Sequence, residues 1–205
     1  TTILFGLAAS SHNPAQITSV RWRAWENTSL RTTIDTGLPW EPPGPSSRKT
    51  GLVITELMYK PAARPDGKVL DYVELFNSNP FFEDVGGFRL SGDIDYVFPA
   101  NTVLPGGGFL LVAKVPADIQ SVYGVGNVVG PYAGSLKAAG PLRLRTDTGA
   151  ILLDIPYSND PPWPVAADGT GHSLVLARPS YGEGFPRAWE ISDIAGGSPG
   201  TPPAP

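Results

Sequence analysis

Two glutamates in apolar surroundings are the first candidates for chemistry in this chain. Glu56 lies in the run VITELMY (53–59), and Glu74 lies in the run DYVELFN (71–77). If these runs were neighbouring strands, the carboxylates could form a pair for general acid and base catalysis. A carboxylate near a sheet edge more often accepts hydrogen bonds from backbone N–H groups or arginine. We therefore predict a structural role for Glu56 and Glu74, and no catalytic residue.

Aspartates offer a second kind of chemistry. Asp93 and Asp95, with Asp71 and Asp84 elsewhere, carry the hard oxygen ligands that Ca²⁺ prefers. The D-I-D spacing lacks the Asp-rich loop and the distal glutamate of an EF-hand. Carboxylates solvated in turns are the favoured interpretation, and a calcium site at Asp93 and Asp95 is the alternative. No other cofactor is predicted.

The two histidines do not indicate a zinc or nucleophilic site. His12 and His172 lie in separate regions, and the chain has no cysteine. Zinc needs three or four such ligands, and no HExxH spacing occurs. Ser173 adjoins His172, but strand neighbours point to opposite faces and no G-x-S-x-G elbow is present. A hydrolytic triad is therefore not predicted.

Aromatic residues in loops could stack on sugar rings. Trp163 in PPWP is the main candidate, with Tyr157 and Asp160 nearby in the sequence, and Trp189 begins a terminal strand. Stacking needs an exposed ring, whereas such tryptophans more often fasten chain ends to a core. We predict packing for both Trp163 and Trp189. A ligand site at Trp163, Tyr157 and Asp160 is the alternative.

Short apolar runs separated by Gly, Pro, Asn and Asp predict the antiparallel strands that must position these residues. Alternation at Leu142 and Leu144, and again at Leu174 and Leu176, predicts one dry and one wet face. Asp147-Thr148-Gly149 predicts a tight hairpin. The predicted strands are Leu52–Tyr59, Asp71–Asn77, Gly87–Leu90, Tyr96–Pro99, Phe109–Lys114, Pro141–Arg145, Ala150–Ile155 and His172–Ala177.

One short helix is predicted over Pro116–Tyr123, since proline suits the first helical position and Gly124 suits the position after the end. Ile119, Val122 and Tyr123 would share one face, which we expect to cover an open end of the sandwich.

The chain is expected to divide at a proline-rich stretch. Residues 37–50, GLPWEPPGPSSRKT, predict a semi-rigid linker. Residues 1–36 predict a β-hairpin too small for its own core, which must dock on the sandwich or on another chain. Residues 51–200 form the main domain, and residues 201–205 form a tail.

Composition limits the partners. A net charge of -4, from 15 basic and 19 acidic residues, argues against nucleic acid as a partner. The apolar run at Thr1–Ala9 is too short to span a bilayer and lacks a basic leader, so we expect no membrane insertion, and any leader would lie upstream.

Several motifs follow one another in a fixed order over residues 51–200. The first half contains VITELMY, DYVELFN and GGFRLSGDIDYVFPANTVLPGGGFLLVAK (86–114). The second half contains PLRLRTDTGAILLDIPYSNDPPWPVAADGTGHSLVL (141–176), AWEIS (188–192) and GGSPG (196–200). In these motifs and their order, the chain resembles the lamin tail domain in its bacterial extracellular form. The stretch FGLAASSHNPAQITSVRWRAW is similar to the closing strands of concanavalin-like or laminin-G-like jelly rolls, which implies the remnant of an upstream domain.

The resemblance implies an immunoglobulin-like β-sandwich without an active site, in which Glu56 and Glu74 lie near each other. It also implies an extracellular, cell-surface or periplasmic location in a large exported bacterial protein, beside hydrolase, nuclease or adhesion modules. No heptad rod or basic localisation cluster indicates a nuclear lamin.

We therefore expect a non-catalytic spacer or protein-interaction module, whose partners are neighbouring domains or other proteins. The first alternative is a carbohydrate-binding module that uses exposed aromatics on a polysaccharide. The second alternative is an accessory domain of a secreted hydrolase or nuclease.

Overall fold

Apolar runs bounded by turn residues form thirteen short strands and one α-helix in the computed structural model, which describes residues 39–202. The helix, α1 (Pro116–Tyr123), begins with proline and ends before Gly124, whose φ of 69° is left-handed. Three single-turn 3-10 helices cover Val165–Ala167, Pro179–Tyr181 and Pro186–Ala188. The strands are β1 (Leu52–Met58), β2 (Tyr72–Asn77), β3 (Glu83–Asp84), β4 (Arg89–Gly92), β5 (Ile94–Val97), β6 (Val103–Leu104), β7 (Phe109–Ala113), β8 (Val128–Val129), β9 (Ala133–Gly134), β10 (Gly140–Arg145), β11 (Ile151–Tyr157), β12 (Leu174–Leu176) and β13 (Trp189–Ile191).

The strands form two main sheets that face each other. One sheet has six strands in the order β13-β12-β1-β2-β7-β8, and the other has five in the order β11-β10-β4-β5-β9. A separate two-stranded ribbon joins β3 to β6. Neighbours run antiparallel, apart from the parallel pair of β7 and β8 among the strands described. The predicted all-β sandwich with one short helix is confirmed.

Side chains from both sheets fill the space between them. From the six-stranded sheet, Leu57, Val73 and Leu75 are fully buried in the main core. Leu142 and Leu144 meet them from the five-stranded sheet, while Arg143 and Arg145 on the same strand are half-buried on its other face. The period-2 prediction for β10 is therefore confirmed, and a continuous apolar interior fixes the register of both sheets.

The predicted hairpin at Asp147-Thr148-Gly149 joins β10 to β11. Thr146 N donates to Ala150 O at 2.9 Å, and Gly149 N donates to Thr146 O at 3.0 Å. Gly149 has a φ of 90°, which a side chain would strain. This turn sets the register of the long edge strand β11.

Strand β12 is buried on both faces, so the predicted wet face is wrong there. Val175 is as inaccessible as Leu174 and Leu176, and Ser173 just before the strand is also buried. The outer face of the six-stranded sheet is therefore covered at this point.

Helix α1 covers part of the same outer face, and the prediction that it closes an open end of the sandwich is wrong. Ile119 packs in a second, smaller core with Met58, Tyr72 and Leu111, which project from β1, β2 and β7. Their strand neighbours, such as Leu57, project into the main core instead. The predicted apolar face of the helix is confirmed, because Val122 and Tyr123 join Ile119 in this cluster.

The eight predicted strands overlap β1, β2, β4, β5, β7, β10, β11 and β12, with ends that differ by at most two residues. Helix α1 has the predicted bounds. Sequence patterns missed the two-residue strands β3, β6, β8 and β9, since so short a pairing leaves no periodicity.

Residues 39–50, predicted as part of a linker, run against the sandwich. Glu41 N donates to Ala177 O at 2.8 Å, and Ser47 Oγ donates to Leu152 O at 3.1 Å. Lys49 Nζ donates to Ile151 O at 3.1 Å. The chain therefore contacts both sheets before β1 begins. The predicted hairpin over residues 1–36 lies outside the described residues, as does His12.

Candidate functional site

The two glutamates predicted to be structural face each other across a strand pair. Glu56 on β1 and Glu74 on β2 are register partners in the antiparallel ladder. Both side chains are fully buried, at 1% and 0% exposure. Direct cross-strand partners have Cβ atoms about 4.5–5.5 Å apart, so the two carboxyl groups share one small, dry volume.

A β-bulge brings a third polar residue to the pair. The register of β1 against β2 shifts between Ile54 and Glu56, which leaves Thr55 as the extra residue. Thr55 Oγ1 donates to Glu74 Oε1 at 2.6 Å, so Thr55 lies beside the pair instead of on the opposite face. Simple alternation would have separated Thr55 from its neighbour Glu56.

The C-terminal segment closes over both carboxylates. We name residues 195–201 the C-terminal clasp. Ser198 N donates to Glu56 Oε1 at 3.1 Å, and Gly200 N donates to Glu74 Oε2 at 2.6 Å. Each glutamate therefore holds one backbone N–H of the clasp, which would otherwise lack a partner in the interior.

Glycine is required where the clasp passes over Glu56. Gly197 has a φ of 79°, and a Cβ there would overlap Glu56 Oε1 and the Tyr72 hydroxyl. Gly196 N donates to Gly171 O at 2.8 Å, and Tyr123 OH donates to Gly196 O at 2.7 Å. The GGSPG motif is therefore shaped to lie on the acid pair.

Hydroxyl groups complete the shell around Glu56. Ser173 Oγ donates to Glu56 Oε1, and the Tyr72 hydroxyl also hydrogen-bonds to this carboxylate. None of the ion pairs among residues 39–202 involves either glutamate. The donors to the pair within the described part of the chain are therefore neutral hydroxyl and backbone N–H groups.

Burial without a cation disfavours the charged form of both acids. Burial raises the pKa of Glu74 from 4.5 to about 8, and the nearby charge of Glu56 adds to this rise. Burial also raises the pKa of Glu56, against the opposing effect of its hydrogen bonds from Ser173 and Tyr72. Since two adjacent buried carboxylates resist double ionisation, the pair retains a proton near neutral pH.

Acids with raised pKa values also occur at catalytic sites. Whether a substrate can reach the two carboxyl groups therefore distinguishes a catalytic role from a structural one. A groove of about 220 Å³ lies between the loop after β1, the end of α1 and the clasp. Neither glutamate lines it; its walls are Pro61, Ala62, Arg64, Leu70, Val122, Tyr123, Ala195 and Gly196. The oxygens of the pair instead point at the backbone of the clasp.

The two aspartates considered for calcium lie apart in their contacts. Asp93 accepts a hydrogen bond from Tyr157 OH at 2.9 Å and lies 3.7 Å from Lys137 Nζ. Asp95 forms a two-pronged ion pair with Arg89, at 2.7 Å for each contact. Within residues 39–202, no group of three or more His, Cys, Asp or Glu side chains is arranged to hold a metal ion. Calcium binding at Asp93 and Asp95 stays the untested alternative to carboxylates solvated in turns.

The aromatic residues considered for sugar binding are mostly buried. Trp163 is 8% exposed, and its ring centroid lies 6.3 Å from that of Trp189. Trp189 is buried and donates from Nε1 to Glu183 O at 2.9 Å. Tyr157 is buried against Tyr59, with centroids 5.5 Å apart.

Of the three residues in the ligand hypothesis, only Asp160 is exposed, and its carbonyl accepts from Trp163 N at 3.0 Å. In this arrangement neither Trp163 nor Tyr157 presents an open ring face. Trp163 and Trp189 pack as predicted, and sugar binding at this loop stays the untested alternative.

His172 and Ser173 face different partners. His172 Nδ1 lies 2.7 Å from Ser192 O, whereas Ser173 Oγ donates to Glu56. The described residues therefore do not join this serine and histidine into a nucleophile and base.

Arg178 is a buried arginine whose structural role was not predicted from the sequence. Arg178 is 2% exposed; its Nε donates to Arg187 O at 2.7 Å, and its Nη2 contacts Glu190 Oε1 at 2.5 Å. A buried guanidinium needs such partners, and here they join the turn after β12 to β13. A single arginine in a loop gives no sequence signal for this role.

An exposed aromatic pair is the surface feature that sequence patterns missed. Phe81 and Phe82, which we name the aromatic tip, are 59% and 67% exposed, and Val103 on the neighbouring ribbon is 52% exposed. The buried amide of Asn77 donates to Phe81 O at 2.8 Å and to Leu104 O at 3.0 Å. The backbone of this loop is therefore fixed while both rings face water.

The Asn79 side chain adds a second fastening for the same loop, since its Nδ2 donates to Glu83 Oε1 at 2.8 Å. A Cβ on Gly106 would overlap the backbone of residues 79–81, which shows how closely the loop lies on the next turn. Such a loop is preorganised in its exposed conformation.

Fold and site together define a two-sheet all-β sandwich whose C-terminal segment is held by a buried acid pair. None of the helices in the described part of the chain has the length and apolar character needed to cross a bilayer. The chain matches no protein-family model, and no curated protein shows significant sequence similarity to it.

Proposed function

We propose that this sandwich is a non-catalytic spacer and protein-interaction module of lamin-tail type, within an exported multidomain bacterial protein. Its location would be extracellular, at the cell surface or periplasmic. The motif order over residues 51–200 and the observed β-sandwich support the assignment. Its partners would be neighbouring domains or other proteins.

The aromatic tip is the observation that carries the interaction role. Leaving one Phe side chain in water forgoes roughly 1.5–3 kcal/mol of burial free energy. Here two adjacent rings remain exposed on a loop fixed by Asn77, beside exposed Val103. Rigid aromatic side chains of this kind supply much of the binding energy in protein interfaces. A partner that covers the tip would gain this area without having to order the loop.

The buried acid pair supports the non-catalytic part of the proposal. Catalytic acids must reach a substrate atom within hydrogen-bond distance. Glu56 and Glu74 instead accept hydrogen bonds from Ser198 N and Gly200 N of the same chain. Screening esterase, nuclease and glycosidase substrates should give no turnover, and turnover abolished by Glu74→Gln would contradict the proposal.

Site-specific photo-crosslinking tests the interaction role. A photoreactive phenylalanine analogue replaces Phe82 in the parent protein, and a matched control carries it at Phe185, which is 66% exposed elsewhere on the sandwich. We expect the Phe82 probe to link one recurrent domain or protein. In a purified binding assay, Phe81→Ser/Phe82→Ser should weaken binding of that partner by at least about tenfold, as loss of a hot spot does.

The outcome that would contradict an interface at the tip is the same mixture of products from both probe positions. A polysaccharide array tests the alternative that the module binds carbohydrate. Reproducible glycan binding that is lost in Trp163→Ala would replace the present proposal with that alternative.

A further inference from the structure

The acid pair and the C-terminal clasp form one unit whose strength depends on a proton. Glu56 and Glu74 are the only side chains of the described residues that accept from Ser198 N and Gly200 N. The clasp is therefore fastened to the sheet through the two carboxyl groups. A change in the charge of either carboxyl group therefore alters the hydrogen bonds that hold the clasp.

Among residues 39–202, no cationic side chain forms an ion pair with Glu56 or Glu74 that would neutralise a second negative charge. Tyr72 from β2 and Tyr123 from α1 are the titratable neighbours, and Thr55 and Ser173 supply hydroxyls from the β1 and β12 sides. The positive charge of Arg64 opposes the rise in the pKa of Tyr123, but it is not a cause of the pKa shift of Glu56 or of Glu74. The clasp itself contributes only Ser, Gly, Ala, Pro and Thr.

We infer that Glu56 and Glu74 are a proton-operated latch for residues 195–201, closed when the pair holds a proton and loosened when that proton is lost. In the closed state, the pair carries one proton and one negative charge, and each carboxyl group accepts one backbone N–H of the clasp. Loss of the shared proton to solvent base places two negative charges on adjacent strands. Water must then enter to solvate them, and the clasp is the layer that separates them from water.

The direction of the pH effect follows from comparing the closed and open states. An acid in the opened, hydrated site returns to a pKa near 4.5, whereas the closed site holds the pKa of Glu74 near 8. Between these values the closed state binds a proton that the open state does not. The opening equilibrium constant therefore rises about tenfold per pH unit from pH 5 to 8 and then levels off.

Amide hydrogen exchange tests the latch directly. The measured quantities are the protection factors of the Ser198 and Gly200 amides, corrected for the intrinsic base-catalysed rate, from pH 5 to 9. We expect both to fall about tenfold per pH unit up to pH 8. The Gly149 amide, which donates to Thr146 O at 3.0 Å in the exposed turn between β10 and β11 and can open locally, should stay constant.

Glu74→Gln removes one titratable group while keeping the side-chain volume, so the pH dependence of clasp protection should become shallower. Glu83→Gln is the matched control, because it makes the same chemical change away from the pair, where the Glu83 carboxylate accepts a hydrogen bond from Asn79. It should follow the wild type.

Two results would overturn the latch. One is constant protection of Ser198 and Gly200 in the wild type across this pH range, and the other is equal pH dependence in wild type and Glu74→Gln. Should the variant fail to fold, ¹³C shifts of the Glu74 carboxyl in the wild type decide the matter. Titration near 4.5 contradicts the latch, and titration near 8 supports it.

Discussion

Removing the Glu74 side chain should destabilise the sandwich substantially. In Glu74→Ala, Thr55 Oγ1 and Gly200 N both lose an acceptor that now lies 2.6 Å away. A buried donor left without a partner costs about 1–3 kcal/mol, so two give roughly 2–5 kcal/mol after partial relaxation. This loss is expected at pH 6, where the pair still holds its proton and little charge repulsion is relieved.

Glu74→Gln separates the packing role from the titration. Glutamine keeps the volume and one acceptor oxygen, so we expect the free energy of unfolding at pH 6 to fall by about 1 kcal/mol or less. The ionisable group is gone, however, and the pH dependence of stability should change with it.

The sign of that pH dependence is fixed by the raised pKa of Glu74. The folded chain keeps a proton up to about pH 8, whereas the unfolded chain releases it near 4.5. Stability from this group is therefore complete below pH 4.5 and is lost as the pH rises toward 8. One such proton corresponds to a slope of about 1.4 kcal/mol per pH unit, and Glu74→Gln should reduce the slope by up to this amount.

Urea denaturation followed by tryptophan fluorescence, at half-unit steps from pH 5 to 8.5, measures both effects. Glu83→Gln again provides the control for replacing a glutamate by glutamine away from the pair. A Glu74→Ala variant as stable as the wild type at pH 6 would refute the structural role of the pair. Parallel stability curves for wild type and Glu74→Gln would refute the retained proton.

Three further outcomes follow from the same structure. Trp189→Ala removes a buried indole and should cost about 3–5 kcal/mol in urea denaturation; a loss below about 1 kcal/mol would contradict its packing role. Gly197→Ala places a Cβ at positive φ against Glu56, so its melting temperature should fall by an amount equivalent to at least about 1 kcal/mol; an unchanged value would place the clasp elsewhere. Millimolar Ca²⁺ should leave the calorimetric melting temperature unchanged, because Asp93 and Asp95 already have basic partners; a gain of several degrees would establish the calcium site.

Sequence patterns predicted those elements whose signal is local. The strand β10 alternates Leu142 and Leu144 with arginines, and the bounds of α1 are marked by Pro116 and Gly124. Local alternation alone predicted the burial of strand β12 incorrectly. Its polar-side positions are occupied by Ser173 and Val175, which are both buried, and Ser173 hydrogen-bonds to Glu56, the residue that also holds the distant clasp.

The acid pair was predicted in part. The residues and their structural role were identified, but the N–H groups they accept come from 142 and 126 residues further along the chain. GGSPG alone predicts a turn, and a bulge at Thr55 has no sequence marker. The aromatic tip was missed because the exposure of Phe81 depends on how Asn77 fastens the loop.

The segment before β1 bears on where the folding unit can be cut. Ser47 and Lys49 occupy the carbonyls of Leu152 and Ile151 on β11, a seven-residue edge strand. A fragment trimmed to start at residue 51 would leave those carbonyls unpaired and offer β11 to a second molecule. Residues 39–50 thus protect this edge strand from pairing with another molecule. A recombinant fragment of the module should therefore begin before Glu41.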